Sequence, residues 1–202
     1  MIKNIVFDFG QVMIRFDPTY MTERYVRNKE DALLVSSVVF DRLYWNPLDS
    51  GDIEDSEVVR LSKERLPERL HAAAEEVYYN WIYNIPEIDG MLELLCYVKD
   101  KYKIPIYLLS NISEYFSKNC ERVPVVSLFD GCIFSADCGL IKPDKKIYEL
   151  LCRKYSLIPE ETLFIDDSEI NINGARTAGI VGYLFDGNVA KLKAYIDENL
   201  FK

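Results

Sequence analysis

The sequence predicts an α/β fold, a doubly wound parallel sheet with an inserted all-helical segment. Three observations predict it. Short apolar runs at residues 5–7, 104–109, 131–134, 162–165 and 181–185 are separated, from residue 89 onward, by amphipathic stretches, the rhythm of strands joined by helical crossovers. Residues 16–86 show helical periodicity instead, with few credible strands. Finally, three of the runs end in polar residues, at Asp8, at Ser110-Asn111 and at Asp166-Asp167; in a parallel sheet such ends share the edge outside which ligands bind. The expected division is an α/β core domain at 1–15 and 87–202 and a helical domain at 16–86.

Taken in order, Ile5, Val6 and Phe7 suit a strand buried on both faces, and the run stops at Asp8, followed by a glycine turn. A carboxylate there is costly to desolvate without a cation, hydrogen bonds or solvent. In isolation Asp8 reads as a turn cap; its partners reverse that reading. The inserted region carries helical periodicity at 19–26, 31–40, 53–66 and 68–83, with a turn expected at Pro47, Asp49, Ser50 and Gly51. An amphipathic stretch at 91–99 leads to the run that ends at Ser110-Asn111, and a helix carrying Tyr115, Phe116 and Asn119 leads to the strand at 131–134. Lys142 stands before Pro143, which is expected at the first position of a helix presenting Ile147, Leu150 and Leu151 on one face. After the strand at 162–165, Ser168 is expected to cap a helix that Gly179 ends, before a last strand at 181–185 and a helix at 189–200.

Composition narrows the functional classes. The 202 residues are 49% hydrophobic and 28% charged, an ordinary globular balance. A net charge of -9 disfavours nonspecific binding to nucleic acid or anionic membrane, so neither is expected as a partner. The five cysteines contain no C-x-x-C pair, and none has an arginine six residues later, which excludes a cysteine-nucleophile phosphatase loop. They fit reduced, mostly buried thiols in a cytoplasmic protein. The only histidine, His71, reads as a helix-surface residue, so acid chemistry falls to carboxylates. No signal-like apolar stretch opens the chain, and no run of about 18 uncharged apolar residues occurs. A monomer or weak homo-oligomer is expected, the 14 Tyr and 10 Phe serving core or interface equally well.

Asp8, Asp166 and Asp167 would be three carboxylates at one sheet edge, and like charges so close cannot all stay ionised without a cation. Hard oxygen ligands with room for water suit Mg²⁺. Ser110, Asn111 and Lys142 supply the hydroxyl, amide and ammonium that a phosphoryl group needs.

In these residues the sequence resembles the haloacid dehalogenase (HAD) superfamily of hydrolases. Val6-Phe7-Asp8-Phe9-Gly10-Gln11-Val12 looks like its first motif and Leu108-Leu109-Ser110-Asn111 like its second. Gly139-Leu140-Ile141-Lys142-Pro143-Asp144 is similar to the third, and Phe164-Ile165-Asp166-Asp167 with Asn171, Gly174, Ala175, Ala178 and Gly179 to the fourth. The resemblance covers nearly the whole chain and implies a Rossmann-like core with a type 1 helical cap. Within the superfamily the chain is similar to the α-D-glucose-1-phosphate phosphatase group.

The resemblance implies a covalent mechanism. Asp8 attacks phosphorus to give an aspartyl-phosphate that water hydrolyses; Mg²⁺ is held by Asp8, the Gly10 carbonyl, Asp166 and Asp167; Ser110, with the Asn111 backbone, hydrogen-bonds a phosphoryl oxygen; and Lys142 neutralises charge. Most phosphatases of this superfamily carry a second aspartate two residues after the nucleophile as general acid and base, and here that position is Gly10. Loss of such help costs roughly 10²–10⁴ in rate, least for a good leaving group such as the anomeric oxygen of a sugar 1-phosphate. Gln11 and Asp17 are candidates to orient water or relay a proton. Arg15 and the stretch Tyr44-Trp45-Asn46-Pro47-Leu48-Asp49-Ser50-Gly51-Asp52-Ile53, which resembles the cap's specificity loop, are candidates for substrate contact, Trp45 foremost, though both aromatics also suit cap packing.

The expected function is therefore a cytoplasmic, Mg²⁺-dependent phosphatase acting on a small phosphorylated metabolite, a sugar phosphate by preference. Two alternatives compete with it. A 2-haloacid dehalogenase shares the aspartate nucleophile but needs no metal, which leaves Asp166-Asp167 unexplained. A catalytically weak binding protein with the same fold is kept open by Gly10. A receiver domain is excluded by motif order, since its acidic pair precedes the phosphorylated aspartate.

Overall fold

The computed structural model describes residues 1–200. Among these residues five strands, β1 (Asn4–Phe7), β2 (Ile106–Ser110), β3 (Gly131–Phe134), β4 (Thr162–Asp166) and β5 (Val181–Leu184), form one parallel sheet in the order β3-β2-β1-β4-β5. β1 is central. Its Phe7 aligns with Leu108 of β2 on one side and Ile165 of β4 on the other, which brings three strand ends level. The chain proceeds outward from β1 through β2 to β3, then returns to the far side of β1 for β4 and β5, so the topological switch point lies beside β1.

Side-chain alternation covers both faces. Ile5, Phe7, Ile106, Leu108, Leu163 and Ile165 join the core formed with α6 (Met91–Tyr102) and α11 (Val189–Leu200), through Met91, Leu95, Leu192 and Ile196. Val6, Leu109 and Phe164 pack on the opposite face against Ile147, Tyr148 and Leu151 of α9 (Lys145–Tyr155) and Ile172 and Ala175 of α10 (Glu169–Thr177). Two short helices, α7 (Glu114–Asn119) and α8 (Ser135–Cys138), follow β2 and β3.

Between β1 and α6 the described elements are helical: α1 (Pro18–Glu23), α2 (Lys29–Val39), α3 (Arg42–Asp49), α4 (Asp55–Glu64) and α5 (His71–Asn80), with short 3-10 turns. The segments entering and leaving this region pair with each other, Arg15 N–H donating to the Pro86 carbonyl at 2.7 Å and Ile88 N–H to that of Met13 at 3.1 Å. Asp55 also ties the helices to the sheet, accepting from Tyr78 Oη at 2.7 Å and from the backbone N–H of Tyr115 in α7 at 3.0 Å.

Several local expectations change. The turn expected around Pro47 and Asp49 is instead the end of α3, which Asp41 caps by accepting from Leu43 N–H at 3.0 Å. Pro47 sits inside that helix, and the chain reverses only at Gly51, whose φ of 77° favours a residue without Cβ. α9 begins at Lys145, two residues after Pro143, because the Asp144 carboxylate caps it by accepting from Lys146 N–H. Ser168 occupies the N-cap of α10 but makes no side-chain capping bond; its own N–H donates to Asp166. The cysteines are free thiols, yet less enclosed than expected: Cys96 is exposed and the other four are half-buried. His71, first in α5, is half-buried with Nε2 3.0 Å from the Leu66 carbonyl. No helix among the described residues is long and apolar enough to cross a membrane.

Candidate active site

Asp8 follows β1, anchored by its N–H to the Ile165 carbonyl of β4 at 2.9 Å. Across the same edge, Asp166 ends β4 and is fully buried. The Lys142 ammonium stands between them, 2.6 Å from Asp8 Oδ1 and 2.8 Å from Asp166 Oδ2. Asp166 is further held by Ser168 N–H at 2.8 Å and by Asn171 Nδ2, 3.1 Å from both its oxygens.

Burial pushes the Asp8 carboxyl up to about 7, against the attraction of Lys142 and with the repulsion of Asp166 added. Burial pulls Lys142 down, yet its two carboxylate partners outweigh that and hold it above the ordinary lysine range. Partial burial and Asp166 likewise raise Asp167. Oxygens of Asp8, Asp166 and Asp167 lie within 4.8 Å of one another. Three carboxylates against one ammonium leave excess negative charge, and this all-oxygen donor set fits a hard divalent cation.

Lys142 is placed by Asn111. The Asn111 side chain accepts from Lys142 N–H at 2.8 Å and donates to the Lys142 carbonyl at 3.0 Å. Its amide is therefore committed to the Lys142 loop rather than pointed at a ligand. Gly174 of α10 lets that loop approach: a Cβ there would lie 2.5 Å from the Pro143 carbonyl oxygen.

A cavity of about 400 Å³ opens over Asp8 between the sheet edge and the inserted helices. Gly10, Gln11, Ser110, Asn111, Lys142 and Asp167 line its sheet side together with Asp8. The helical side presents Phe16, Phe40, Trp45 and Trp81, whose rings contact one another at centroid distances of 5.4 to 6.4 Å, together with Arg42 and Asp49. Trp45 gives its indole N–H to the Val39 carbonyl at 3.0 Å, so only its ring faces the cavity. Gln11, exposed, donates to the Phe16 carbonyl at 3.1 Å and adopts a φ of 56°.

Arg15 is not brought into this cavity. It is exposed and lines a neighbouring depression with Asp89, Asp186 and Gly187. Asp17 caps α1 by accepting from Tyr20 N–H at 3.0 Å. Two charged groups of the cavity are not singled out as individual site residues by the sequence. Arg42 has no motif to mark it, and Asp49 lies in the stretch singled out for substrate contact but reads there as a turn residue.

The haloacid dehalogenase-like hydrolase family matches residues 2–179. The chain belongs to this family. It is a HAD-like hydrolase, and the two phosphatases named next share most of its extent. It is 26% identical over 193 residues to D-ribitol-5-phosphate phosphatase of Bacteroides thetaiotaomicron, covering 89% of each protein. It is 24% identical over 183 residues to the phosphorylated carbohydrates phosphatase of Thermotoga maritima, covering 89% of this chain and 82% of that one. A HAD family enzyme from Bacteroides thetaiotaomicron, crystallised with magnesium and inorganic phosphate, superposes with a TM-score of 0.70 at 23% identity over 95% of this chain and 99% of its own. The parallel sheet with inserted helices is thus the HAD fold. The narrower likeness to the α-D-glucose-1-phosphate phosphatase group is not part of what these matches show.

Proposed function

We propose that this hydrolase is a Mg²⁺-dependent phosphatase for a small phosphorylated carbohydrate, with residues 16–86 acting as a cap domain on a core of 1–15 and 87–202. The observation that carries the reading is the Asp8 cluster, a nucleophilic carboxylate beside a buried ammonium and two more carboxylates at the floor of a cavity. The named activities of the two curated relatives, both phosphatases of phosphorylated polyols or sugars, support the same class.

In this reading Asp8, Asp166, Asp167 and the Gly10 carbonyl hold Mg²⁺. When bound, the ion offsets charge on the phosphoryl oxygens. The Asp8 carboxylate attacks phosphorus, forming the aspartyl-phosphate that water then cleaves. Lys142 favours the ionised form of Asp8 and, with the Ser110 hydroxyl, hydrogen-bonds the phosphoryl oxygens. Asn111 positions Lys142. The wall of Phe16, Phe40, Trp45 and Trp81 excludes water from the first step.

The test is phosphate release from p-nitrophenyl phosphate and a panel of sugar and polyol phosphates, with Mg²⁺ and with EDTA, beside Asp8→Asn. Metal-dependent turnover lost in the variant is the expected result. Halide release from a 2-haloacid without metal would turn the reading to a dehalogenase. No turnover on any compound, with metabolite binding by calorimetry, would turn it to a binding protein.

A further inference from the structure

Cleaving an alkyl phosphate requires a proton on the departing oxygen, and hydrolysing the phosphoenzyme requires a base for the attacking water. Most polar groups of the cavity are committed elsewhere. Lys142 bridges two carboxylates, Asn111 clamps the Lys142 backbone, and Gly10, two residues after Asp8, offers no side chain. Arg42 cannot give up its proton. Asp49 differs from all of these. It is the last residue of α3, it lines the cavity with Asp8 and Lys142, and its Oδ1 is fully enclosed without a hydrogen-bond partner.

A buried carboxylate oxygen left unpaired favours the protonated, uncharged form of the group, while Asp49 as a residue borders the cavity and is only half-buried. The turn that follows it is fixed. Gly51 presses against α8, where a Cβ on it would stand 3.2 Å from the Ala136 carbonyl oxygen, and Ser50 Oγ donates to Asp52 Oδ2 at 2.6 Å. Asp49 therefore ends a helix braced by the turn that follows it.

We infer that Asp49 is the proton donor and acceptor of the reaction, an inference that rests on the phosphatase reading above. In the first half, an Asp8 oxygen bonds to phosphorus, the bond from phosphorus to the leaving oxygen breaks, and protonated Asp49 transfers its proton to that oxygen to give the alcohol. In the second half, ionised Asp49 takes a proton from water as the water oxygen bonds to phosphorus and the Asp8–phosphorus link breaks. Phosphate is released, and both carboxyl groups then stand as they began. Burial holds the Asp49 carboxyl up to about 7, with Arg42 and Lys142 drawing it down and Asp8 pushing it up, so both forms are available near neutrality. The consequence for substrate class is that leaving groups need not be acidic: primary sugar and polyol phosphates are substrates, not only anomeric ones.

The test compares wild type, Asp49→Asn and Asp49→Ser, with Mg²⁺, on p-nitrophenyl phosphate and on D-ribitol 5-phosphate or the fastest primary sugar phosphate of the panel. Loss of the donor should lower kcat/KM on the primary phosphate by roughly 10²–10⁴. On p-nitrophenyl phosphate, whose leaving group needs no proton, the first turnover keeps its rate and a slow steady state follows. That pattern is a burst equal to the enzyme concentration, with the phosphoenzyme visible by intact mass. Equal losses on both substrates in a single turnover, or unchanged kinetics in both variants, would overturn the assignment. So would the same losses in Asp52→Asn, an exposed neighbour on the same turn. Absence of turnover in the wild type would instead strike at the phosphatase reading itself.

Discussion

On the sheet side of the cavity Asp8 and Asp166 are paired with Lys142, and Asp166 again with Asn171 and a backbone N–H, with Asp167 beside them. On the helical side the surface is a cluster of four aromatic rings, interrupted by Arg42 and by a carboxylate with one oxygen unpaired. The two sides therefore respond to different physics. The sheet side is an electrostatic unit in which removing one member exposes the charge of the others. The helical side is apolar packing in which single polar groups are free to act on a ligand.

The largest expected effect belongs to the sheet side. Lys142→Met leaves Asp8 and Asp166 facing each other, buried and without a cation. We expect turnover to fall by at least roughly 10²–10³ and metal-free stability to fall by about 3–5 kcal/mol, measured by urea unfolding in EDTA. Mg²⁺ should then stabilise the variant more than the wild type, since the ion replaces the missing positive charge. Equal Mg²⁺ stabilisation in both proteins would break the view of the cluster as one electrostatic unit.

The next effect tests whether the helical side can be relieved of its proton task. A Cβ at Gly10 meets nothing within 4 Å, so a side chain there has room beside Asp8. In the Asp49→Asn background, Gly10→Asp is expected to restore turnover on primary sugar phosphates by about tenfold to a hundredfold, part of the range that general acid-base help spans. Steady-state kinetics on both single variants and the double variant check this. No recovery would mean that a carboxyl at Gly10 cannot reach the leaving oxygen.

How far the sequence disclosed each side follows from the same contrast. Strand ends are visible in a sequence because an apolar run that stops at Asp8, Ser110 or Asp166 marks both the strand and its polar terminus. Sheet order then brings those ends together whatever the loops do. The helical side has no such rule. Pro47 and the Asp49-Ser50-Gly51 run read as a turn, whereas Asp41 starts a helix that runs through Pro47 to Asp49. Arg15 follows the first motif closely, but it sits where the chain pairs with Pro86; Ile14 is buried there and Arg15, next along, is exposed. Asn111 is adjacent to Ser110, yet its amide turns to the Lys142 backbone, a contact 31 residues away that no local pattern announces. An unpaired oxygen such as Asp49 Oδ1 is a property of packing and has no signature in spacing.

Asp49 also predicts a stability effect of opposite sign to its effect on rate. Its carboxyl is raised in the folded protein from an ordinary 3.8 to about 7, by burial first, with Arg42 and Lys142 opposing and Asp8 adding to the rise. A group raised on folding favours the folded state below its unfolded pKa, and that advantage is lost as pH climbs through the folded value. Wild-type stability should thus decline between about pH 4 and pH 7 relative to Asp49→Asn, which does not titrate. Above pH 7 the variant should be the more stable by on the order of 2–4 kcal/mol. Urea unfolding at pH 5 and pH 8 measures the difference. A variant less stable at both would show that Asp49 has a structural partner after all.

The smallest effect concerns Trp45, whose indole has two tasks on the helical side. Its N–H satisfies the carbonyl of Val39, the last residue of α2, while its ring faces the cavity. Trp45→Phe keeps a ring in the wall and removes only the donor, at a stability cost of about 0.5–1.5 kcal/mol and with kcat/KM nearly unchanged. Trp45→Ala opens the wall itself and should raise KM more than it lowers kcat if the ring contacts the substrate. If KM holds and only stability falls in Trp45→Ala, the ring is packing alone, and specificity on the helical side then rests with Arg42 and Asp49.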